Sequence, residues 1–253
     1  VKSFNEDLDE LAYQCNKILN TEYSEKMDEL YSLGGTSGGA RPKILTEIDG
    51  EDWIIKFPTY VDERDAGMIE YQYLICAGKC GINMPQTRLF HSDKCQGYFG
   101  VKRFDRKKEN NETKKIHMLT AAALLEIYFN QPCMDYNDLM KLTKILTNNN
   151  WDDIDNMYRR MCFNVYAHNR DDHAKNFTYI YDEENETWRL SPAYDLTYSN
   201  TYYGEHTTTV AGNGRNPGIK ELTEVGVNAG LKKQYCEEVA GEIRGLVEDM
   251  LNN

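Results

Sequence analysis

The chain has 253 residues, 40% of them hydrophobic and 28% charged, with a formal net charge of −12. These values are typical of a folded globular protein with one large domain or two small lobes. A mean hydropathy of −0.70 and the lack of a long apolar run exclude a transmembrane helix, and the negative charge argues against direct binding to a nucleic-acid backbone. We therefore expect no membrane or direct DNA contact. Because no secretory leader opens the chain and its seven cysteines show no metal or disulfide spacing, we expect a cytoplasmic protein with reduced thiols.

The first half of the chain is predicted to be rich in strands. Apolar residues at helical spacing predict an amphipathic helix over 4–19, and a glycine-rich break follows at 33–43. Strands are predicted at 44–48, 53–57, 86–91 and 98–104. The Asp49-Gly50 pair is typical of a hairpin turn and joins the first two strands, and a helix over 62–78 separates the second strand from the third.

The second half is predicted to be mainly helical. Helices are expected at 116–129, 136–147, 151–168 and 218–251. A polar loop over 169–176 and a strand pair at 177–181 and 187–190 lie between them, followed by a long loop over 191–217.

This order indicates an α+β fold of two lobes, with a small strand-rich N-lobe and a larger, mainly helical C-lobe. We expect an N-terminal helical segment at 1–31 and an N-lobe with a phosphate loop at 32–104. The C-lobe, with the catalytic and metal-binding loops, is expected at 105–253, after a hinge near 101–105.

The glycine-rich segment 34–43, GGTSGGARPK, is a candidate phosphate loop. Its glycines allow backbone N–H groups to turn toward an anion without interference from Cβ atoms, and Lys43 adds positive charge. The segment lacks the GK[ST] ending of a Walker A loop. A flexible surface turn is the alternative interpretation.

Lys56 lies inside the apolar strand WIIKF and is a candidate phosphate ligand. In kinases, a strand lysine holds the α- and β-phosphates and is oriented by a helix glutamate. Glu70 on the following helix is the candidate partner, and Glu63 is a nearby rival. The alternative is an exposed strand lysine.

The segment 167–176, AHNRDDHAKN, carries the strongest chemical signal. A structural loop rarely needs such a density of acidic, histidine, lysine and asparagine side chains. In phosphoryl transfer, a carboxylate orients the attacking hydroxyl and an asparagine oxygen helps to hold Mg²⁺. Asp171 and Asn176 have the five-residue spacing of a kinase catalytic loop.

Asp195 follows a predicted strand about 20 residues after this loop, where a kinase places its metal-binding aspartate. Mg²⁺ prefers oxygen ligands and retains several waters, so that one aspartate, one asparagine and the phosphates form a sufficient site. An aspartate that caps a turn is the alternative.

Taken together, these segments resemble the HipA family of serine/threonine kinases. The matching pieces occur in the family's order over residues 33–217: GGTSGGARPK, WIIKF, VKRFDR, the HML that opens the predicted 117–125 helix, NRDDHAKNF, LSPAYDLTYS and GEHTTTVAGNGRNP.

The resemblance implies a role for each matching residue. Asp171 is expected to be the catalytic base, and Asn176 and Asp195 the Mg²⁺ ligands. The residues expected around ATP are Gly38, Gly39, Ala40, Lys43, Lys56, Lys102, Arg103, Phe104, His173, Lys175, Asn176 and Tyr194. Lys102, Arg103 and Phe104 would contact adenine mainly through backbone groups. Thr36 and Ser37 are candidates for the autophosphorylation that, in this family, ejects the loop and switches the kinase off.

The resemblance also implies partners: a translation-linked protein substrate and a small DNA-binding antitoxin. The N-terminal subdomain of longer members is not matched within this sequence, so a separate N-subdomain-like protein is a further expected partner. Two alternatives use the same residues. A small-molecule or lipid phosphotransferase would need the same catalytic set, whereas a non-catalytic ATP-binding regulatory subunit predicts a damaged set, and none is seen.

Overall fold

A computed structural model describes residues 7–19, 41–59, 65–110, 112–127, 134–201 and 204–251. The described chain forms two compact units. The first holds the residues up to Tyr71 and those from Pro85 to Lys114, and the second holds Gln72–Met84 and the residues from Lys115 onward. The boundary predicted near residue 104 stays a prediction, and the one near residue 31 lies outside the described residues. No helix in the described ranges is long and apolar enough to cross a membrane.

The helices and strands agree with most of the predicted elements to within a few residues, but the helix expected over 218–251 is divided into two helices. The helices are α1 Leu8–Leu19, α2 Ala66–Lys79, α3 Ala121–Leu124, α4 Tyr136–Leu146, α5 Trp151–Tyr166, α6 Ile219–Asn228 and α7 Lys233–Leu251. The strands are β1 Lys43–Ile48, β2 Glu51–Lys56, β3 Thr87–Phe90, β4 Tyr98–Lys102, β5 Arg106–Glu109, β6 Glu112–Lys115, β7 Met118–Thr120, β8 Met134–Asp135, β9 Thr178–Asp182, β10 Thr187–Leu190 and β11 Thr208–Thr209.

The first unit is built on an antiparallel sheet with the strand order β1-β2-β4-β3. The β1–β2 hairpin turns at Asp49 and Gly50, whose φ values of 53° and 81° are those that a tight hairpin turn requires. Because side chains alternate across a strand, Ile44 and Ile55 share one face and pack in a core with the apolar side of α1. Lys56, the neighbour of Ile55 on β2, lies on the opposite face of the sheet.

The second unit is organised around α5, whose buried residues include Met157, Met161 and Phe163. This helix packs against α4 and α7, and a three-stranded sheet with the order β10-β9-β7 completes the unit. The asparagine at position 150 caps the start of α5 by accepting from the Asp153 N–H at 3.2 Å. The helix ends at Tyr166 and leads directly into the polar loop.

The helix predicted over 116–129 is wrong in its first part. Met118–Thr120 form β7, which pairs with β9 through partners such as Leu119 and Tyr179, and the helix α3 covers four residues. Tertiary pairing with β9 overrides the local preference of an alanine- and leucine-rich sequence for helix. The exposed β5–β6 hairpin was also not predicted.

Candidate active site

In the first unit, Lys56 and Glu70 form a close ion pair. The Lys56 Nζ lies 2.7 Å from Glu70 Oε1, and the Glu70 side chain is 3% exposed. Arg41 approaches the second carboxylate oxygen, Oε2, at 3.3 Å. A buried carboxylate is costly unless it is paired, and Lys56 and Arg41 supply that pairing for Glu70. Glu70 is therefore the partner of Lys56; its rival Glu63 lies outside the described residues.

Lys56 is directed by the register of the sheet. It is opposite Lys43 on β1 and opposite Phe99 on β4, and its Nζ lies 5.6 Å from the centroid of the Phe99 ring. Lys43 and Lys56 therefore lie on the same face of the sheet.

Three further residues predicted near ATP lie at the end of β4 or directly after it: Lys102, Arg103 and Phe104. The Lys102 N–H donates to Gln86 O at 2.9 Å and the Arg103 N–H donates to Asp52 O at 2.8 Å. The Arg103 guanidinium forms a bidentate pair with Asp105. The amides of Lys102 and Arg103 are thus engaged within the unit, and a role at adenine stays a prediction for these two residues and Phe104.

Most of the predicted phosphate loop lies outside the described part of the chain. Gly38, Gly39 and Ala40, with Thr36 and Ser37, lie outside the described residues, which resume at Arg41.

In the second unit, the predicted catalytic loop, residues 167–176, leaves α5 through a constrained turn. His168 has a left-handed backbone with a φ of 51°, a conformation that non-glycine residues adopt where surrounding contacts fix the chain. Ser199 supplies those contacts: its N–H donates to His168 O at 3.1 Å and its carbonyl accepts from the Arg170 N–H at 3.3 Å. The direction of the loop is thereby fixed before it reaches Asp171.

Asp171 is the exposed acid of the loop. Its side chain is 59% exposed, with Oδ1 lying 3.8 Å from His173 Nε2. Partial burial raises the pKa of Asp171; His173 opposes this shift, and the carboxylates of Asp172 and Asp195 add to it. A raised pKa improves a carboxylate as an acceptor of protons.

Asn176 is joined to the same loop by its side chain. Its Nδ2 donates to the backbone carbonyl of Asp171 at 2.9 Å, and its N–H donates to His173 O at 2.9 Å. With the amide nitrogen engaged, Oδ1 is the atom through which Asn176 can bind a cation.

Asp195 is exposed and has a φ of 53°. Left-handed backbone in an aspartate is typical of a functional turn. The preceding Tyr194 donates its hydroxyl to Lys175 O at 2.7 Å, which ties this turn to the catalytic loop. Burial raises the pKa of Tyr194 to about 12, so the hydroxyl stays protonated as a donor.

Mg²⁺ suits the donor set of this loop and turn. Among the described residues, no group of three or more histidine, cysteine or acidic side chains forms a metal cluster. One carboxylate from Asp195 and one amide oxygen from Asn176 match the preference of Mg²⁺ for oxygen, with phosphates and water as its other ligands.

Sequence reasoning missed the buried groups that support these residues. Asp172 is 1% exposed, and its Oδ2 accepts from Tyr136 OH at 2.9 Å and from His206 Nδ1 at 3.0 Å. His206 is buried as well. The motif GEHTTTVAGNGRNP contained the signal, although nothing in its spacing linked it to Asp172.

Arg160 supports the turn that carries Asp195. This arginine of α5 is 2% exposed, and its guanidinium donates to Asn156 Oδ1 at 3.0 and 3.1 Å and to the carbonyl of Ser191. Burial lowers the pKa of Arg160 to about 10. It joins the helix to the strand end from which the Asp195 turn begins.

Comparison with known proteins identifies the family. The model of the HipA-like C-terminal domain matches residues 35–250. Y4dM of Sinorhizobium fredii, which bears a provisional kinase name, is 26% identical over 182 residues, covering 66% of this chain and 42% of Y4dM.

Two solved structures share the fold. HipA of Shewanella oneidensis, in a complex with HipB and operator DNA, has a TM-score of 0.66 and 17% identity, covering 86% of this chain and 58% of HipA. The proinflammatory kinase CtkA of Helicobacter pylori has a TM-score of 0.51 and 10% identity, covering 82% of this chain and 90% of CtkA.

The fold is therefore that of a two-lobed, kinase-like protein. Because the family model spans most of its length, the chain belongs to the HipA-like C-terminal domain family. It spans less than two thirds of Y4dM and of the Shewanella HipA chain.

The Glu70 pair makes a prediction about stability. Glu70→Ala leaves Lys56 and Arg41 without their shared carboxylate, and breaking a buried pair of this kind costs about 3 kcal/mol of unfolding free energy. Urea denaturation measures the loss. Glu47→Ala is the control, because Glu47 pairs with Lys108 at the surface, where its side chain is 58% exposed; it should leave the midpoint nearly unchanged. Equal midpoints for the two variants would contradict a buried role for Glu70.

Proposed function

We propose that the chain is an ATP-dependent serine/threonine protein kinase of the HipA type that transfers the γ-phosphate to a protein hydroxyl. The observation that carries the proposal is the catalytic loop: Asp171 is exposed, its carbonyl is bonded to Asn176, and its pKa is raised with a contribution from Asp195. Membership of the family and kinase-like neighbours support phosphotransfer as the class of reaction.

Each residue has one task in this mechanism. Asp171 orients the acceptor hydroxyl and takes its proton as the oxygen attacks the γ-phosphorus, while the bond from that phosphorus to the β,γ-bridging oxygen breaks and ADP leaves with the electron pair. Asn176 Oδ1 and Asp195 hold Mg²⁺, which supplies neutralisation of the phosphate charge when bound. Lys56, fixed by Glu70, binds phosphate oxygens.

The same residues bear on the two alternative functions. An intact set of Lys56, Asp171, Asn176 and Asp195 counts against a non-catalytic subunit. A small-molecule phosphotransferase would use this set equally well, so that the acceptor has to be tested directly.

Asp171→Asn tests the central role. The amide keeps the size of the side chain and cannot accept the proton, so that transfer should fall by roughly 10³-fold while calorimetry finds Mg-ATP affinity within about threefold of the parent. Transfer is measured as label from γ-labelled ATP on the protein itself and on casein. Asp152→Asn, an exposed carboxylate of α5, is the matched control and should keep full activity. A parent-like rate in Asp171→Asn would rule out the assigned base.

We further propose that the glycine-rich loop is autophosphorylated at Thr36 or Ser37, which the family resemblance supports. A phosphate adds about −1.5 to −2 charges and would compete with those of ATP for the same backbone donors. After incubation with Mg-ATP, mass spectrometry should find phosphate on one of these residues in the parent and none in Asp171→Asn. An unmodified loop in a protein that phosphorylates casein would refute this proposal.

A small DNA-binding antitoxin is the proposed partner, supported by the complex of Shewanella HipA with HipB and operator DNA. The net charge of −12 makes a second protein the natural source of DNA affinity. A translation-linked protein is the proposed substrate and a separate N-subdomain-like protein a further partner. Co-expression with the adjacent reading frames should yield a complex that binds DNA, whereas the chain alone does not. Tight DNA binding by the chain alone would contradict this assignment.

A further inference from the structure

We propose that His206, Thr207 and Thr208 form a clamp that positions Asp171 for phosphoryl transfer. The proposal rests on the catalytic role proposed for Asp171. These three residues, here called the HTT clamp, lie in the motif GEHTTTVAGNGRNP, to which the mechanism above gives no task. They are positioning residues, because they bond to the neighbours of Asp171 on both sides.

On the amino side, the clamp holds the carbonyl of Arg170. Thr207 donates to Arg170 O both from its N–H and from its Oγ1, each at 3.0 Å. The side chain of Arg170 is directed elsewhere, with Nη1 donating to Asn200 Oδ1 at 2.8 Å. The peptide unit between Arg170 and Asp171 is therefore fixed by two donors from one residue.

On the carboxyl side, the clamp holds Asp172. His206 Nδ1 lies 3.0 Å from Asp172 Oδ2, and the Thr208 N–H donates to Oδ1 at 3.1 Å. The Thr208 hydroxyl donates to the backbone carbonyl of Asp172. Asp172, His206 and Thr208 are 1%, 6% and 0% exposed, and bonds to a buried carboxylate are strong and directional.

The clamp is itself anchored in the body of the second unit. Thr208 and Thr209 pair in parallel with Met134 and Asp135, next to the start of α4. The His206 N–H donates to Gly214 O at 2.7 Å, and Tyr136 of α4 gives its hydroxyl to Asp172 at 2.9 Å. The flanks of Asp171 are thus bonded to elements outside the loop, which restricts the position of its exposed carboxylate.

Two substitutions of His206 separate positioning from folding. His206→Asn retains an amide N–H where Nδ1 stood, whereas His206→Leu keeps bulk and removes the donor. Because small displacements of a reacting group are costly, His206→Leu should lower kcat by roughly a hundredfold. His206→Asn should recover to within about tenfold of the parent, and Mg-ATP affinity by calorimetry should change by less than about threefold in both. Amide hydrogen exchange should rise in the 167–176 peptide of His206→Leu.

A second pair covers the case in which His206→Leu fails to fold. Thr208→Val is nearly isosteric and removes the hydroxyl bond to Asp172 O, so that kcat should fall by roughly tenfold with an unchanged KM for ATP. Thr209→Val is the control: its hydroxyl bonds to Asp135 Oδ2 at 2.6 Å and not to the catalytic loop, so that kcat should stay within about twofold.

The results distinguish this inference from the proposed function. A kcat within twofold of the parent in His206→Leu and Thr208→Val, or equal losses in His206→Asn and His206→Leu, would overturn the clamp while Asp171 stays catalytic. If the parent transfers no phosphate, the proposed function fails, but hydrogen exchange still tests the clamp. Unchanged protection of residues 167–176 in His206→Leu overturns the clamp, and faster exchange supports it.

Discussion

The buried carboxylate of Asp172 is the interaction on which the catalytic loop depends. It accepts from Tyr136 of α4 and from His206 and the Thr208 N–H of the HTT clamp. A charge removed from water persists only where donors satisfy it, so that these contacts are a condition for the loop to fold as it does. Asp171, the proposed catalytic base, is its immediate neighbour in the chain, and its Oδ1 lies 3.8 Å from His173 Nε2.

The separation of a buried acid, Asp172, from an exposed acid, Asp171, meets two opposing requirements of the site. Phosphoryl transfer needs carboxylates close together, yet like charges repel and raise each other's pKa, as the effect of Asp195 on Asp171 shows. The fold holds the two acids through their backbones, with donors to the carbonyls beside Asp171 and a left-handed turn at Asp195. Their carboxylates remain exposed for a cation and an acceptor, and Mg²⁺ would relieve the repulsion that the backbone sustains.

The sequence predicted the parts of this arrangement that are local. The spacing of Asp171 and Asn176 is fixed within one loop, and the alternation of β2 places Lys56 away from the apolar face. Prediction from the sequence failed where a segment distant in the chain determines the local structure. Met118–Thr120 form a strand because β9 lies beside them. Likewise, His206 is 34 residues from Asp172 along the chain, and neither composition nor periodicity marks such a pair.

The described residues that follow Asp195 in the chain contact the loop around Asp171 at two points. This segment meets the catalytic loop first at Ser199, which bonds to His168 and Arg170, and again at Thr207, which bonds to Arg170 O. The proposed Mg²⁺ ligand Asp195 therefore lies close in the chain to Ser199, whose carbonyl accepts from the Arg170 N–H next to Asp171. The backbone around Asp171 is therefore bonded both to Ser199 and to the HTT clamp. Together with the bond from Tyr194 to Lys175, these contacts connect the turn that carries the proposed metal ligand to the loop that carries the proposed base.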